Sequence, residues 1–267
     1  MSRVREPVGP ARAVVLRTGS LLRKVRRRLR RGARSGRRRW LFFRKQPARP
    51  KLRILLGLKA LEDLPMAARN ALWPPPVPLA ARHVRSARLF ENRVALLGMF
   101  PSGAVGVEMG CHKGNFSAHI LDVTAPRKLH LIDYDAAFVA EVRERYAKEI
   151  DAGVVEVHHG DTVATVDALP AGSLDWAYID GDHSYRGAVR DLAAAHRAVK
   201  PDGWIGLNDY VFFNPEDMGK YGVVEAVHEF CLEHDWEILG FGLAGRGQHD
   251  VLLRCRGVDD GTPGWKA

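Results

Sequence analysis

The stretch Tyr178-Ile179-Asp180-Gly181-Asp182-His183-Ser184-Tyr185 brings carboxylates, an imidazole and a hydroxyl into one short turn. A neutral imidazole near a carboxylate can accept a proton from a substrate hydroxyl, so His183 is a candidate general base and Asp180 its candidate companion. Asp182 could equally orient the ring, and His183 also has a plain account as a helix-capping or hydrogen-bonded structural histidine. A second polar run, Leu207-Asn208-Asp209-Tyr210, adds an amide and a carboxylate. Taken together, Asp180, Asn208 and Asp209 offer oxygen ligands of the kind a hard divalent cation such as Mg²⁺ takes, with positions left for substrate or water.

Three further strand-end runs carry ligand-binding residue types. Glu108-Met109-Gly110-Cys111-His112-Lys113-Gly114-Asn115 places two glycines where a tight turn and a close backbone approach are wanted, ahead of a helix with unpaired N–H groups. It is not a phosphate-cradling loop, because Lys113 precedes Gly114 and Asn115 follows it, and His112 breaks a dinucleotide fingerprint. Glu108 also sits badly beside a pyrophosphate, so a ligand bearing a cationic or hydroxyl group fits better. Asp133 lies 23 residues beyond Gly110, at the usual place for a carboxylate that takes both hydroxyls of a ribose. Gly160-Asp161-Thr162 supplies an acid that could accept from an adenine amino group. Asp133 could be a turn residue and Asp161 a helix N-cap, but acids at three successive strand ends favour a shared ligand.

The elements that must position these residues follow from periodicity. Strands are expected at Val105–Met109, Lys128–Asp133, Val154–His158, Leu174–Asp180 and Gly203–Asn208, with helices near Asn115–Leu121, Ala136–Ile150, Thr162–Leu169 and Tyr185–Val199. Such alternation implies an α/β, doubly wound, mostly parallel sheet with helices on both faces, whose ligands sit beyond the carboxyl ends of the strands. A helix near Val223–His234 then leads to Trp236–Phe241 and Asp250–Cys255, an antiparallel hairpin that completes seven strands. Ahead of the sheet, residues 51–98 read as a helical cap: one helix over 51–73, stopped by Pro74-Pro75-Pro76, and another from Ala80 to Gly98. The apolar positions Val84, Ala87, Phe90, Val94 and Leu97 set the second helix.

Charge is distributed unevenly. The 267 residues carry a net charge of +10, yet residues 1–53 hold 20 of the 41 basic residues and a single acid, Glu6, which makes them +19 and leaves the remainder at −9. Residues 1–50 therefore read as a disordered polybasic arm. On an anionic membrane surface Leu22–Leu29 could become a basic helix, with Trp40-Leu41-Phe42-Phe43 as an apolar plug. Nucleic acid is the less favoured polyanion, because the acidic remainder has no interleaved aromatic and basic face. No apolar run reaches the roughly 20 residues of a membrane span, and no cleavable signal follows the arginines. Cys111, Cys231 and Cys255 suit reduced thiols, so the expected location is cytoplasmic, peripheral at a membrane if the arm binds one. Disulfide-scaffold and collagen-like classes are excluded.

Glu108-x-Gly110-x-x-x-Gly114, Asp133, Gly160-Asp161 and Asp180-Gly181-Asp182-His183-Ser184-Tyr185 together resemble a class I S-adenosylmethionine-dependent methyltransferase. The branch is the one with an Asp-Gly-Asp-His-Ser-Tyr loop, related to macrocin- and mycinamicin-type sugar O-methyltransferases and to cephalosporin-hydroxylase-like proteins. The resemblance implies a methyltransferase domain over residues 99–256, followed by a flexible tail at 257–267, with S-adenosylmethionine as cofactor. It implies that Glu108, Gly110, Cys111 and Gly114 shape the methionine pocket, that Asp133 takes the ribose and that Asp161 and Thr162 flank the adenine, with Asp180 also beside the cofactor. By the same resemblance Asp180, Asn208 and Asp209 hold Mg²⁺ and His183 is the base. Asn208 departs from the pattern, since metal-dependent relatives commonly place a carboxylate there, and one fewer negative ligand weakens the site. The expected reaction is O-methylation of a hydroxylated small molecule, a sugar, polyketide or lipid-linked acceptor. A different class remains beside it: a basic-arm attachment protein with a methyl-donor fold of little or no activity.

Overall fold

Apolar, β-branched runs buried on both faces form the strands of the computed structural model, which describes residues 76–214, 219–245 and 247–255. The polybasic arm over 1–50, the helix expected over 51–73 and the tail at 257–267 lie outside the described residues. The strands are β1 (Arg88–Phe90), β2 (Val105–Met109), β3 (Lys128–Asp133), β4 (Val155–His159), β5 (Leu174–Ile179), β6 (Val199–Leu207), β7 (Phe213–Asn214), β8 (Gly219–Lys220), β9 (Trp236–Gly242) and β10 (Asp250–Cys255). Helices α1 (Arg93–Leu97), α2 (Asn115–Thr124), α3 (Ala136–Arg145), α4 (Ala147–Asp151), α5 (Thr162–Asp167), α6 (Tyr185–Ala198) and α7 (Val223–His234) connect them.

Eight strands form one sheet in the order β1-β9-β10-β6-β5-β2-β3-β4, and β7 pairs with β8 separately. Only β10 runs against its neighbours, wedged antiparallel between β6 and β9. Along β5, Trp176 and Tyr178 point into a layer with Phe116, Ile120, Leu129 and Leu131, while Ala177 and Ile179 point into one with Leu192, Ala195 and Val227. A parallel sheet covered on both faces needs such unbroken apolar strands. The chain leaves β2 toward β3 and β4 on one side and toward β5 and β6 on the other, so the crevice at the ends of β2 and β5 is the topological switch point. No helix among the described residues is long and apolar enough to cross a membrane.

Three expectations are corrected. The sheet has eight strands rather than seven, because Arg88–Phe90 pairs in parallel with Gly240–Gly242. The helix read over Ala80–Gly98 is instead a 3-10 turn at Ala81–His83, strand β1 and the short α1. Asn92 interrupts it: extended, with its side chain accepting from the Ala95 N–H at 2.8 Å, it starts a new helix rather than continuing one. The helix read over Ala136–Ile150 breaks at Tyr146, whose hydroxyl donates to the Gly114 carbonyl at 2.5 Å and ties the break to the β2–α2 loop.

Candidate active site

The β2–α2 loop is built by backbone geometry. Gly110 has φ of +97°, and a Cβ there would collide with the Asp180 carbonyl, so the loop lies directly against the end of β5. Gly114, at φ of +72°, would place a Cβ 2.8 Å from the Tyr146 ring. Gly110 and Cys111 both donate N–H bonds to the Ile132 carbonyl, at 2.9 and 3.0 Å, which lashes the loop to β3. At the end of that strand the Asp133 carboxylate, 5% exposed, accepts from the N–H of His112 at 2.7 Å and from that of Asp135 at 2.9 Å. Its position and orientation are thus set by main-chain groups alone. Tyr134, next in sequence, is 79% exposed and leaves a free aromatic face at this corner.

Other residues expected on this side have structural partners. Glu108 is fully buried beneath the loop, where the Ser117 hydroxyl of α2 donates to it. Burial pushes its carboxyl up to about 8, against the opposing pull of that hydrogen bond, so at neutral pH it is mostly uncharged and holds α2 to β2. The Cys111 thiol is buried and held well above its ordinary range, first by burial and then by the neighbouring carboxyl groups of Glu108 and Asp133, which favours the thiol over the nucleophilic thiolate. Asp161 caps α5, accepting from the Ala164 N–H at 3.0 Å, and lies 3.6 Å from Arg190. The Thr162 hydroxyl donates to Asp191 at 2.7 Å, and burial pushes Asp191 up to about 6. The Gly160 N–H donates to the Asp133 carbonyl at 3.0 Å, so this turn does adjoin the Asp133 corner.

Side chains from distant segments build the other half of the crevice. His183 Nε2 lies 3.4 Å from Asp180 Oδ1 and 3.7 Å from Asp209 Oδ2. The ring stacks on Tyr221, centroids 4.9 Å apart and planes 9° from parallel, and the Gly222 N–H donates to the His183 carbonyl at 2.9 Å. Burial alone would lower the pKa of His183. The hydrogen-bonding proximity and charge of Asp180, then Asp209 and Asp182, more than reverse this and raise it above the ordinary imidazole value. Asp182 does not contact the ring: it accepts from the Ser184 N–H and hydroxyl at 2.9 and 3.0 Å, and Ser184 in turn caps α6. Asp180 also faces Arg93 of α1 at 3.5 Å, whose guanidinium lies 3.6 Å over the Phe116 ring.

Beneath this half, Asp250 of β10 is completely buried and accepts from the Tyr178 hydroxyl and from the Asn208 amide at 3.2 Å. Burial pushes its carboxyl up to about 7. These contacts decide how well a divalent cation suits the expected set. Asn208 turns its amide toward Asp250, Asp180 already faces a guanidinium, and the His183 imidazole lies between Asp180 and Asp209. Asp180 thus faces the Arg93 guanidinium and the His183 ring, and Asp209 faces that same ring, so these donors are turned to protein partners and do not fit Mg²⁺. S-adenosylmethionine fits the other half: a left-handed glycine loop tight against β5, a helix N-terminus behind it and a backbone-aligned carboxylate at Asp133.

The structure thus places Gly110, Gly114, Asp133, Asp180, His183 and Asp209 at or just beyond the carboxyl ends of the adjacent strands β2, β3, β5 and β6 and withdraws Glu108, Cys111 and Thr162 into supporting contacts. Arg93, Tyr178, Tyr221 and Asp250 were missed. Arg93 is hidden in the sequence by the apolar spacing that suggests one continuous helix, and Tyr178 and Asp250 lie within runs that read as core strand. Tyr221 sits in a loop between elements and carries no sequence signal.

A methyltransferase-domain family model matches residues 107–210. Among solved structures, the pyocyanin biosynthetic protein PhzM is similar at a TM-score of 0.51 and 13% identity, over 78% of this chain and 68% of that one. A putative rRNA-methylase from Clostridium thermocellum aligns at a TM-score of 0.47 and 15% identity, over 60% and 94% of the two chains. A SAM-dependent methyltransferase from Aquifex aeolicus aligns at 0.45 and 15%, over 60% and 87%. No curated protein matches by sequence.

Proposed function

We propose that this chain, whose residues 107–210 match a methyltransferase-domain family model, is a class I S-adenosylmethionine-dependent methyltransferase that methylates a hydroxyl group of a small molecule, with His183 taking the hydroxyl proton. A sugar, a polyketide-type alcohol or a lipid-linked acceptor has the required chemistry. The observation that carries the reading is His183 Nε2 set between Asp180 and Asp209 at the ends of β5 and β6, beside the glycine loop.

S-adenosylmethionine, when bound, supplies a methyl group on a positively charged sulfur, open to in-line displacement by an oxygen nucleophile. The loop from Gly110 to Gly114 and the carboxylate of Asp133 would hold it. The chain's remaining task is to align the acceptor and remove its proton. In its unprotonated form His183 accepts that proton at Nε2. Asp180 and Asp209 then stabilise the imidazolium, and the stacked Tyr221 keeps the ring from rotating away. A hydroxyl needs this assistance because it is scarcely ionised at neutral pH, whereas a neutral amine is already nucleophilic. The polybasic segment over 1–50 is proposed to seat on anionic lipid and to bring the domain to acceptors there.

A screen of hydroxylated and amine acceptors with methyl-labelled donor, with Mg²⁺ and with chelator, tests this reading. Label on a hydroxyl acceptor, unchanged by chelator, supports it. Label confined to amines removes the role given to His183, and transfer that requires Mg²⁺ overturns the metal-free assignment.

A further inference from the structure

We propose that His130, Glu156 and His158 form a zinc-type transition-metal site that joins β3 to the edge strand β4, apart from the methyl-transfer crevice. The two strands run parallel with His130 opposite Glu156 and Ile132 opposite His158, so all three ligand side chains leave the same face of the sheet. His130 Nδ1 and His158 Nε2 are 3.0 Å apart. Glu156 Oε1 lies 3.7 Å from His158 Nε2, and Oε2 lies 3.9 Å from His130 Nδ1. Neighbouring ligands of a tetrahedral zinc with bonds of about 2.0–2.1 Å stand roughly 3.3 Å apart; the imidazole pair is near that spacing, and each imidazole has one of the two carboxylate oxygens within a few tenths of an ångström of it. Among the described residues this is the one trio of histidine, cysteine or carboxylate ligand atoms lying mutually within 4.8 Å.

The donor types select the metal. Two imidazoles with one carboxylate suit zinc and its transition-metal neighbours, whereas Mg²⁺ and Ca²⁺ prefer oxygen alone. Lys128 Nζ, 2.8 Å from Glu156 Oε2, already orients the carboxylate and leaves Oε1 toward His158. His130 is buried and Glu156 is 48% exposed, so one side of the trio opens to solvent, giving an entry path and a water-filled fourth position. A metal here would clamp the edge strand to β3 three residues before Asp133, the carboxylate proposed to hold the donor.

The full chain, stripped of metal by chelator, is titrated with Co²⁺, whose visible absorption reports tetrahedral coordination. One equivalent is expected to saturate the signal and to be displaced by Zn²⁺. His158→Gln and Glu156→Gln should each weaken Co²⁺ binding at least about 100-fold, the upper end of what losing a partner that merely orients a ligand costs. His183→Ala, which removes the imidazole of the other cluster, should titrate as the unaltered chain does. Because Glu156 is half exposed, its glutamine variant keeps the fold, and Zn²⁺ should raise the melting temperature of the unaltered chain but not of this variant. Glu156→Gln and His158→Gln chains that titrate like the unaltered one, or an unaltered chain that never saturates, would overturn the site.

Discussion

The two sides of the switch point are built by different means. On the β2–β3 side the groups facing the crevice are fixed by main chain: Gly110 and Cys111 hang on the Ile132 carbonyl, and Asp133 is held by the N–H groups of His112 and Asp135. On the β5–β6 side the constellation is made of side chains, with Arg93, Asp180, His183, Asp209 and Tyr221 converging from separate elements over the buried Tyr178–Asp250–Asn208 group. A backbone-built half suits a ligand that is always the same. A side-chain half can be refitted to a particular acceptor while the fold stays constant.

If the halves divide donor binding from proton transfer, variants should separate them. The largest effect is expected from His183→Ala, which should lower turnover on a hydroxyl acceptor by about 10²–10⁴-fold and leave donor affinity unchanged in a calorimetric titration. Equal losses in both would mean that the halves act as one. Gly110→Ala strikes where they touch: a side chain at φ of +97° colliding with the Asp180 carbonyl should cost about 3 kcal/mol in chemical unfolding and depress both functions together. Asp133→Asn should weaken donor binding about 10- to 100-fold, with turnover at saturating donor little altered. Smallest is Asp161→Ala. If this residue acts chiefly as the cap of α5, its loss should cost about 1 kcal/mol of stability and change donor affinity only marginally.

The same division explains what the sequence disclosed. Strands β2, β3 and β10 and helix α7 fall where periodicity puts them, and the β2–β3 side is legible because left-handed turns and strand-end acids restrict residue choice to Gly and Asp at fixed spacing. The β5–β6 side was legible only in its two strand-end runs, Asp180 to Ser184 and Asn208-Asp209. Arg93 and Asp250 reach it across 87 and 70 residues of chain from Asp180, and no local pattern records such a meeting. The reading of Ala80–Gly98 as one helix fails for a related reason: three- and four-residue apolar spacing also accommodates an edge strand whose Leu89 faces solvent and whose pairing with β9 comes from far along the chain.

The central claim is that His183 takes the acceptor's proton in the field of Asp180 and Asp209. The pH dependence of kcat/KM for a hydroxyl acceptor, compared between the unaltered chain and Asp180→Asn, tests it most directly. A base works only when unprotonated, so the rate should rise with pH, with an inflection above the ordinary imidazole value of about 6.5 because Asp180 and Asp209 favour the charged ring. Removing the Asp180 charge should move that inflection to lower pH. An inflection that stays in place in the variant, or a rate indifferent to pH across this range, would contradict the assignment.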